Sequence, residues 1–367
     1  MRFIVTCGGS GGHINPGLAV ASVLRDGGHE VLFVGATQGL ERDLVPREGF
    51  RIEFVEARSL IHSLTPKALA HNAGTVWRTF RSGGAAKRIV RRFAPAAVLG
   101  TGGYASFPAL RAAQKLGIPT LIHESNAFPG VTTKLIAKRA DAVLVAIERS
   151  RSAYPNPEKV KVVGTPVRPE FFTLRREAAR RSLGLDGRPV VVSLLGSQGA
   201  REVNKLILEL MAMNGGAYRH IHAAGPKRVE ALLDEARKRG LSLTEQSGLT
   251  IKGYIHNMAE VLAAADLVVC RGGASTLAEL SAAGKAAIVI PSPNVAADHQ
   301  TANARMLGGA AAVLPESGLT ADELRRTVND LLENPLRRAR MEEGMKRLAV
   351  PDSAAAIAGL MVEFGKS

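Results

Sequence analysis

The residues with the most evident chemistry lie in one short segment, CGGSGGHINP at positions 7–16, where four glycines and a serine surround His13. The apolar run RFIVT precedes this segment, and the sequence that follows it has helical spacing. A strand, a glycine turn and a helix N-terminus together expose unpaired backbone amides, which bind anions. We therefore expect the amides of Ser10, Gly11 and Gly12 to lie near a bound anion such as a diphosphate.

His13 is a candidate proton acceptor. The positive end of a helix dipole lowers the pKa of an imidazole and so keeps the ring neutral. A neutral imidazole beside an anion site suits general-base catalysis, which contributes roughly 10²–10⁴-fold in rate. The competing interpretation is a capping hydrogen bond at the helix N-terminus. Glu124, in HESN, is the alternative base, although it could instead accept hydrogen bonds at the end of its strand.

Three more glycine turns follow apolar runs: GTGGYAS at 100–106, GSQGAR at 196–201 and CRGGASTLAEL at 270–280. The carboxyl ends of parallel strands line the ligand crevice of open α/β sheets. Two turns fall in each half of the chain, so we expect them to face each other across one cleft between two domains.

The elements that position these turns are short strands alternating with helices. The alternation stops at a stretch with two prolines, VVGTPVRPE at 162–170, and then restarts with RPVVVSLLG. Strands separated by helices form parallel sheets that are buried on both faces. The predicted fold class is α/β, with two Rossmann-like, doubly wound domains over residues 1–164 and 165–350, followed by a final helix at 351–367.

Composition narrows the class of protein. Of the 367 residues, 46% are hydrophobic and 22% charged, as in globular proteins. No apolar stretch reaches the ~18 residues that a membrane span needs, and the first strand leaves no room for a signal peptide. The only two cysteines, Cys7 and Cys270, form neither a disulfide framework nor a zinc-type spacing. These features predict a cytoplasmic protein.

The motifs also argue against the commonest cofactors. A dinucleotide fingerprint needs G-x-G-x-x-G, but the third glycine position counted from Gly9 is Ile14, and no carboxylate ends the second strand. A Walker loop and a D-x-D pair are both absent from the sequence. We therefore expect no cofactor and no dedicated metal, and expect backbone amides and helix N-termini to neutralise a bound diphosphate.

The net charge of +15 predicts an anionic partner. Between residues 60 and 95 there are seven basic residues and no acidic one, and Trp77 and Phe80 lie among them. This pattern predicts a patch that binds an anionic membrane surface, with a solvated amphipathic helix as the alternative. The predicted patch consists of Trp77, Arg78, Phe80, Arg81, Lys87 and Arg88. Nucleic acid is not expected as a partner, because aromatic residues are only 4% and no recognised module occurs.

Five motifs, in order over nearly the whole chain, resemble those of the MurG family of bacterial glycosyltransferases. They are GGSGGHINPGLAVA, GTGGYASFPA, HESNAFPG, GSQGAR and the long run from CRGGAST to DHQTANA. The resemblance implies the GT-B fold, a final helix that returns to the first domain, and a peripheral enzyme at the cytoplasmic face of the plasma membrane. It also implies inverting transfer of N-acetylglucosamine from UDP-N-acetylglucosamine to the 4-hydroxyl of undecaprenyl-diphosphate-linked N-acetylmuramoyl-pentapeptide, without a built-in metal.

The resemblance also implies roles for individual residues. His13 would be the base, Asn126 would contact the N-acetylglucosamine, and Gly102, Gly103 and Tyr104 would bind the acceptor's diphosphate. Turn geometry alone could explain the two glycines, and an Asx turn could explain Asn126. The full set of donor-binding residues would be Ser10, Gly11, Gly12, Asn126, Arg168, Ser197, Ile255, Ala274, Ser275, Thr276, Leu277, Ala278, Glu279 and Gln300.

Within this donor site, helix N-termini at Ser197 and at 274–276 can bind phosphates, and Glu279 could accept both ribose hydroxyls. The region of Ile255 would hold uracil through backbone groups, and Gln300 would reach the sugar hydroxyls. The plainer alternatives are a first-turn helix acid for Glu279 and an exposed helix-end glutamine for Gln300.

Two other functions stay open at the level of sequence. One is a GT-B relative of different specificity, such as a glycolipid glycosyltransferase or a sugar-nucleotide epimerase. The other is a non-enzymatic basic protein that binds nucleotides or nucleic acid.

Overall fold

The computed structural model describes residues 1–57, 82–196, 200–295 and 298–366. The chain forms two compact units, Met1–Arg168 together with Val350–Ser367, and Pro169–Ala349. The second unit therefore begins at Pro169 rather than at the predicted position 165. Both units are built on parallel sheets, as the predicted α/β fold class requires.

In the first unit, the described residues form a seven-stranded parallel sheet in the order β3-β2-β1-β4-β5-β6-β7. Its strands are rich in valine, leucine and isoleucine and are buried on both faces in the centre of the sheet. The strand bounds are β1 Arg2–Thr6, β2 Glu30–Ala36, β3 Arg51–Val55, β4 Ala97–Gly100, β5 Thr120–Glu124, β6 Ala142–Val145 and β7 Val160–Val162.

The strand order of this sheet reverses between β1 and β4. Thr6, the last residue of β1, pairs with Gly100, the last residue of β4. The two loops that leave these strands therefore emerge side by side at a topological switch point, where ligands bind in open α/β sheets.

The helices of this unit connect its strands. Helix α1 spans Gly11–Asp26, and Ser10 before it has an extended backbone with φ −139° and ψ 155°. Residues 82–93 are also helical. The other helices are α2 Glu41–Arg47, α3 Ser106–Lys115 and α4 Val131–Ala137.

In the second unit, the described residues form a six-stranded parallel sheet in the order β10-β9-β8-β11-β12-β13. Cys270 at the end of β11 pairs with Leu194 at the end of β8, so this sheet also has its switch point between two glycine loops. The strand bounds are β8 Val190–Leu194, β9 Arg219–Ala223, β10 Leu249–Lys252, β11 Leu267–Cys270, β12 Ala287–Val289 and β13 Ala311–Val313.

The helices of the second unit include two whose N-termini are capped by side chains. Thr320 accepts a hydrogen bond from the Glu323 amide, and Asn334 accepts one from the Arg337 amide. The bounds are α5 Glu170–Thr173, α6 Arg176–Ser182, α7 Arg201–Ala212, α8 Val229–Lys238, α9 Met258–Ala264, α10 Ala274–Ala283, α11 His299–Arg305, α12 Ala321–Glu333 and α13 Pro335–Leu348.

The last helix, α14 (Ser353–Phe364), belongs to the first unit. It packs against α1 and β4, and Ile357 and Met361 are among its buried residues.

Candidate active site

His13 lies in the first turn of α1, where the sequence predicted it. The Ser10 carbonyl accepts hydrogen bonds from the amides of His13 at 3.0 Å and Ile14 at 3.2 Å, which starts the helix. The amides of Gly11 and Gly12 precede these and have no acceptor within the helix, because the first amides of any α-helix lack one. The first unit thus presents backbone donors next to a half-buried imidazole.

The loop after β4 packs directly against this turn. Gly102 and Gly103 have φ values of +104° and +81°, which favour glycine. A Cβ at Gly102 would lie 2.5 Å from Nδ1 of His13, and one at Gly103 would lie 2.1 Å from the carbonyl oxygen of Gly8. Thr101 Oγ1 also donates a hydrogen bond to the His13 carbonyl at 2.7 Å. These glycines are therefore required by the close approach of two loops, in addition to any role toward phosphate.

Tyr104 lies half-buried over the first loop. A Cβ at Gly9 would lie 2.9 Å from the Cε1 atom of the Tyr104 ring, and Gly9 has φ +91°. Burial, together with the nearby Glu41 carboxylate, raises the pKa of the Tyr104 hydroxyl. The hydroxyl thus stays protonated at neutral pH and is available as a donor.

Glu41 is a site residue that the sequence analysis missed. Its side chain is completely buried. Oε2 accepts a hydrogen bond from the Gly9 amide at 3.0 Å, and Oε1 accepts one from the Ala36 amide at 2.8 Å. The available signal was an acid at a helix start, just after a glycine-containing turn, in GATQGLE.

Glu124 uses both of its carboxylate oxygens within its own loop. Oε1 accepts hydrogen bonds from the backbone amide of Asn126 at 3.1 Å and from its Nδ2 at 2.8 Å. Oε2 accepts from the Gly130 amide at 3.1 Å and from Thr133 Oγ1 at 2.8 Å. This buried, fully bonded carboxylate has the geometry of a strand-end acceptor, which favours His13 over Glu124 as the base.

Beside Glu124, His123 is completely buried and was not singled out from the sequence. Its Nε2 donates a hydrogen bond to the Gly164 carbonyl at 2.9 Å, while Nδ1 has no partner among the described residues. Burial lowers the pKa of His123. The ring is therefore neutral, and it connects the end of β5 to Gly164, which follows β7.

In the second unit, helix α10 begins at Ala274, where the sequence predicted a phosphate site. Gly273 precedes the helix with an extended backbone and its carbonyl accepts from the Leu277 amide at 3.0 Å. The amides of Ala274, Ser275 and Thr276 come before this first helical bond and have no acceptor within the helix. Ser197, the other predicted phosphate ligand, lies outside the described residues.

Helix α11 lies against the turn that precedes α10. A Cβ at Gly272 would lie 2.4 Å from the Gln300 carbonyl oxygen. Asn303 Nδ2 donates to the Gly272 carbonyl at 3.0 Å, and Gln300 Oε1 accepts from the Ser292 amide at 2.9 Å. Gln300 is thus a half-buried residue that joins two loops, not the exposed helix end that the plainer alternative supposed.

Glu279 is buried in the middle of α10 rather than exposed in its first turn. The first-turn explanation for this acid therefore does not apply. On the same helix, Leu277 is buried and Ala278 is half-buried.

Two further predicted donor residues lie away from this helix in the chain. Ile255 is buried in the loop after β10, between Tyr254 and His256, whose ring centroids are 4.9 Å apart. Arg168 is the last residue of the first unit, and its Nη1 donates to Glu48 Oε1 at 2.7 Å.

Of the predicted membrane patch, Trp77, Arg78, Phe80 and Arg81 lie outside the described residues. Lys87 is half-buried and Arg88 exposed on the helical segment 82–93. In the part of the chain that the structure describes, no helix is both long and apolar enough to span a bilayer. Within the same residues, no three histidine, cysteine or acidic side chains come together as a metal site.

Two protein-family models match the sequence of this chain. The N-terminal domain model of glycosyltransferase family 28 matches residues 3–145, and its C-terminal domain model matches residues 190–357. Both glycine-loop pairs fall inside these matches.

Relatives match over almost the full length. The chain is 38% identical over 360 residues to the UDP-N-acetylglucosamine–N-acetylmuramyl-(pentapeptide) pyrophosphoryl-undecaprenol N-acetylglucosamine transferase of Desulforamulus reducens, covering 96% of each chain. It is 37% identical to the protein of the same name from Acetivibrio thermocellus, covering 100% of this chain and 99% of that one.

Solved structures give the same answer at the level of the fold. The crystal structure of Acinetobacter baumannii MurG has a TM-score of 0.69 and 28% identity, covering 99% of each chain. The Staphylococcus aureus MnaA–UDP structure has a TM-score of 0.70 at 12% identity, covering 97% of this chain and 95% of that one, and so shows likeness of fold alone.

Proposed function

The chain belongs to the MurG family of glycosyltransferases, and from that premise we propose how its two glycine-loop pairs share one transfer reaction. It is a GT-B N-acetylglucosaminyltransferase of peptidoglycan synthesis, which uses UDP-N-acetylglucosamine and the lipid-linked muramoyl-pentapeptide. The observation that carries this activity is 38% identity over 96% of the chain. The assignment of roles to residues below is our proposal.

His13 is the general base in this proposal. Its imidazole takes the proton of the acceptor's 4-hydroxyl while that oxygen bonds to the anomeric carbon of N-acetylglucosamine. The bond from the anomeric carbon to the diphosphate oxygen breaks, UDP leaves, and the configuration inverts. The support is positional: His13 lies beside the free helix amides and is held by Thr101 and the Gly102 turn. In Glu124, by contrast, both carboxylate oxygens already accept hydrogen bonds from the residues of its own loop.

The second unit binds the donor nucleotide. The amides of α10 face the diphosphate, with Ser197 as a second contribution, and the buried Glu279 accepts the ribose hydroxyls. A helix N-terminus with no acid in its first turn supports this assignment, because its dipole attracts phosphate without local repulsion. Ile255 would lie beside uracil and Gln300 beside the sugar.

The first unit binds the acceptor and the transferred sugar. Gly102, Gly103 and Tyr104 contribute to the acceptor's diphosphate, while Ser10, Gly11, Gly12 and Asn126 approach the N-acetylglucosamine. Arg168 completes the donor set from the end of this unit. Because the Gly9 amide already bonds to Glu41, the donors left in the first loop are those of the helix start.

We also propose that the enzyme docks on the anionic cytoplasmic face of the plasma membrane. The net charge of +15 supports this, as do exposed residues at and just after the end of helix α4, where Leu135 is 52% exposed between Lys134 and Lys138 in the sequence. Sedimentation with vesicles that contain an anionic lipid tests it. Binding should fall as salt rises, and equal binding to purely zwitterionic vesicles would contradict the proposal.

The transfer is proposed to need no dedicated metal ion, since helix amides neutralise the diphosphate. Turnover in the presence of a chelator measures this directly. Complete loss of turnover that a single divalent ion restores would count against it.

The test of the function is transfer of radiolabelled N-acetylglucosamine to the lipid-linked acceptor by the full chain. UDP, but not ADP or DNA, should raise the melting temperature, because a ligand that binds only the folded state stabilises it. Epimerised UDP-sugar formed without acceptor, or stabilisation by DNA alone, would instead support one of the two alternative functions.

A further inference from the structure

We propose that Glu41 is a positioning residue that holds the first glycine loop, so that His13 is presented to the acceptor and the first amides of α1 to the transferred sugar. This inference rests on the proposed role of His13. Glu41 does not touch the substrate in this proposal; it acts through the backbone of Gly9.

The contacts of Glu41 join two segments that are distant in the chain. One carboxylate oxygen accepts from the amide of Gly9, which follows β1, and the other accepts from the amide of Ala36, which ends β2. Since β1 and β2 are paired through Thr6 and Val34, the carboxylate connects the glycine loop to a point that the sheet already holds. Ordering a loop with four glycines costs a large amount of conformational entropy. The two hydrogen bonds of Glu41 offset part of that free-energy cost.

The neighbouring glycines leave room for this carboxylate. A Cβ at Gly8 would lie 2.8 Å from Oε1 of Glu41, and one at Gly35 would lie 2.5 Å from its Cγ. A Cβ at Gly39 would lie 1.9 Å from Oε2. Three backbone positions therefore approach the side chain more closely than any other residue type would allow.

The charge of Glu41 also reaches the loop that packs on the first one. Among the residues that the structure describes, no lysine or arginine forms an ion pair with Glu41, so backbone amides hold the buried carboxylate. The carboxylate contributes to the raised pKa of Tyr104, after burial. The titration of the Tyr104 hydroxyl therefore reports the charge of Glu41 independently of catalysis.

The substitution Glu41→Gln is a sharp test because it keeps the shape of the side chain. An amide has one oxygen and one NH₂ group, so it must set a donor against the amide of Gly9 or of Ala36. The expected result is a kcat lowered on the order of tenfold or more, as small displacements of catalytic groups produce. The affinity for UDP, which the second unit binds, should be unchanged.

The control is Glu30→Gln, which removes an exposed ion pair with Arg51 at the edge of the same sheet. It should leave kcat and melting temperature near wild type. In Glu41→Gln the pKa of Tyr104 should fall, as followed by tyrosinate absorbance and assigned with Tyr104→Phe. A folded Glu41→Gln enzyme with wild-type kcat would overturn the proposal.

Hydrogen exchange in the unmodified full chain covers the case in which Glu41→Gln does not fold. The Gly9 amide should be protected, whereas the Gly11 amide should exchange freely. Equal exchange at the two positions would overturn the proposal. If the wild-type chain transfers no N-acetylglucosamine, the proposed function fails, while protection of Gly9 and the Tyr104 titration still report on Glu41.

Discussion

The two units hold glycine loops at equivalent places in their sheets, but they hold them with side chains of different charge. In the first unit, the carboxylate of Glu41 accepts the amide of Gly9. In the second unit, neutral side-chain amides bond to the loop backbone instead. Asn303 donates to the Gly272 carbonyl, and Gln300 accepts from the Ser292 amide. Both arrangements need glycine at the point of closest approach.

This difference matches the chemistry proposed for each loop. A buried negative charge behind the first loop favours the positive charge that develops on His13 as it accepts a proton. A carboxylate holding the second loop would repel the donor's diphosphate next to α10, whereas an amide does not. The comparison therefore predicts that substitutions in the first unit lower kcat, while substitutions in the second unit weaken UDP binding.

The largest effect is expected from His13→Ala. Loss of the base should lower kcat by roughly 10²-fold or more, while UDP affinity measured by calorimetry stays near wild type. The acidic limb of the kcat/KM profile should disappear as well. A variant with wild-type kcat and an unchanged profile would end the assignment and return Glu124 to consideration.

A matched pair of glycine substitutions comes next. Gly102→Ala forces a Cβ against the His13 ring, and Gly272→Ala forces one against the Gln300 backbone. The first should lower kcat and the second UDP affinity, each by about tenfold or more, since strained substitutions of this kind cost on the order of 1–3 kcal/mol. Gly309→Ala, which meets no atom within 4 Å, is the control. Equal loss of UDP affinity in both variants would break the comparison.

Glu279→Ala sharpens the assignment of the second unit. Removing the proposed acceptor of both ribose hydroxyls should weaken UDP binding by about tenfold or more, since each hydrogen bond to a charged group contributes on the order of 1.5–3 kcal/mol. Kinetics at saturating donor should show little change in kcat. Glu333→Ala, at the exposed end of α12, is a control for the loss of an acid. Unchanged calorimetric affinity in Glu279→Ala would show that the ribose assignment is wrong.

The smallest effect near neutral pH concerns the core of the second sheet. Ser193 Oγ bonds to Nε2 of His220 at 2.9 Å and to Nδ1 of His222 at 2.7 Å. Burial lowers the pKa of both histidines to about 3 from the usual 6.5. Protonation of the unfolded chain therefore lowers the free energy of unfolding as pH falls below 6.5, and this loss levels off near pH 3.

The slope should be at most about 1.4 kcal/mol per pH unit for each histidine, and smaller between pH 7 and 6. Urea unfolding at pH 7, 6 and 5 measures it. His222→Gln should reduce the pH dependence, whereas His256→Gln, at an exposed position, should not. Stability that is constant over this range would contradict the burial of two neutral rings.

Sequence patterns predicted the turns and helix starts of the candidate site because such patterns are local. The glycine turns after β1, β4 and β11, the helix starts at Gly11 and Ala274, and the position of His13 all follow from spacing and from the conformational freedom of glycine. The strand order and the switch points did not follow from spacing, since pairing joins segments such as 2–6 and 97–100 that are far apart in the chain.

The sequence by itself determined which residues could do chemistry and which elements carry them, since residue type and periodicity are properties of neighbouring positions. Only the tertiary structure decided how those residues are used. It buried Glu41 against Gly9 and saturated Glu124 with four donors. It also joined Gln300 to Ser292. Hydrogen-bond partners depend on which atoms meet after folding, and a carboxylate that could be a base becomes a structural acceptor once amides surround it.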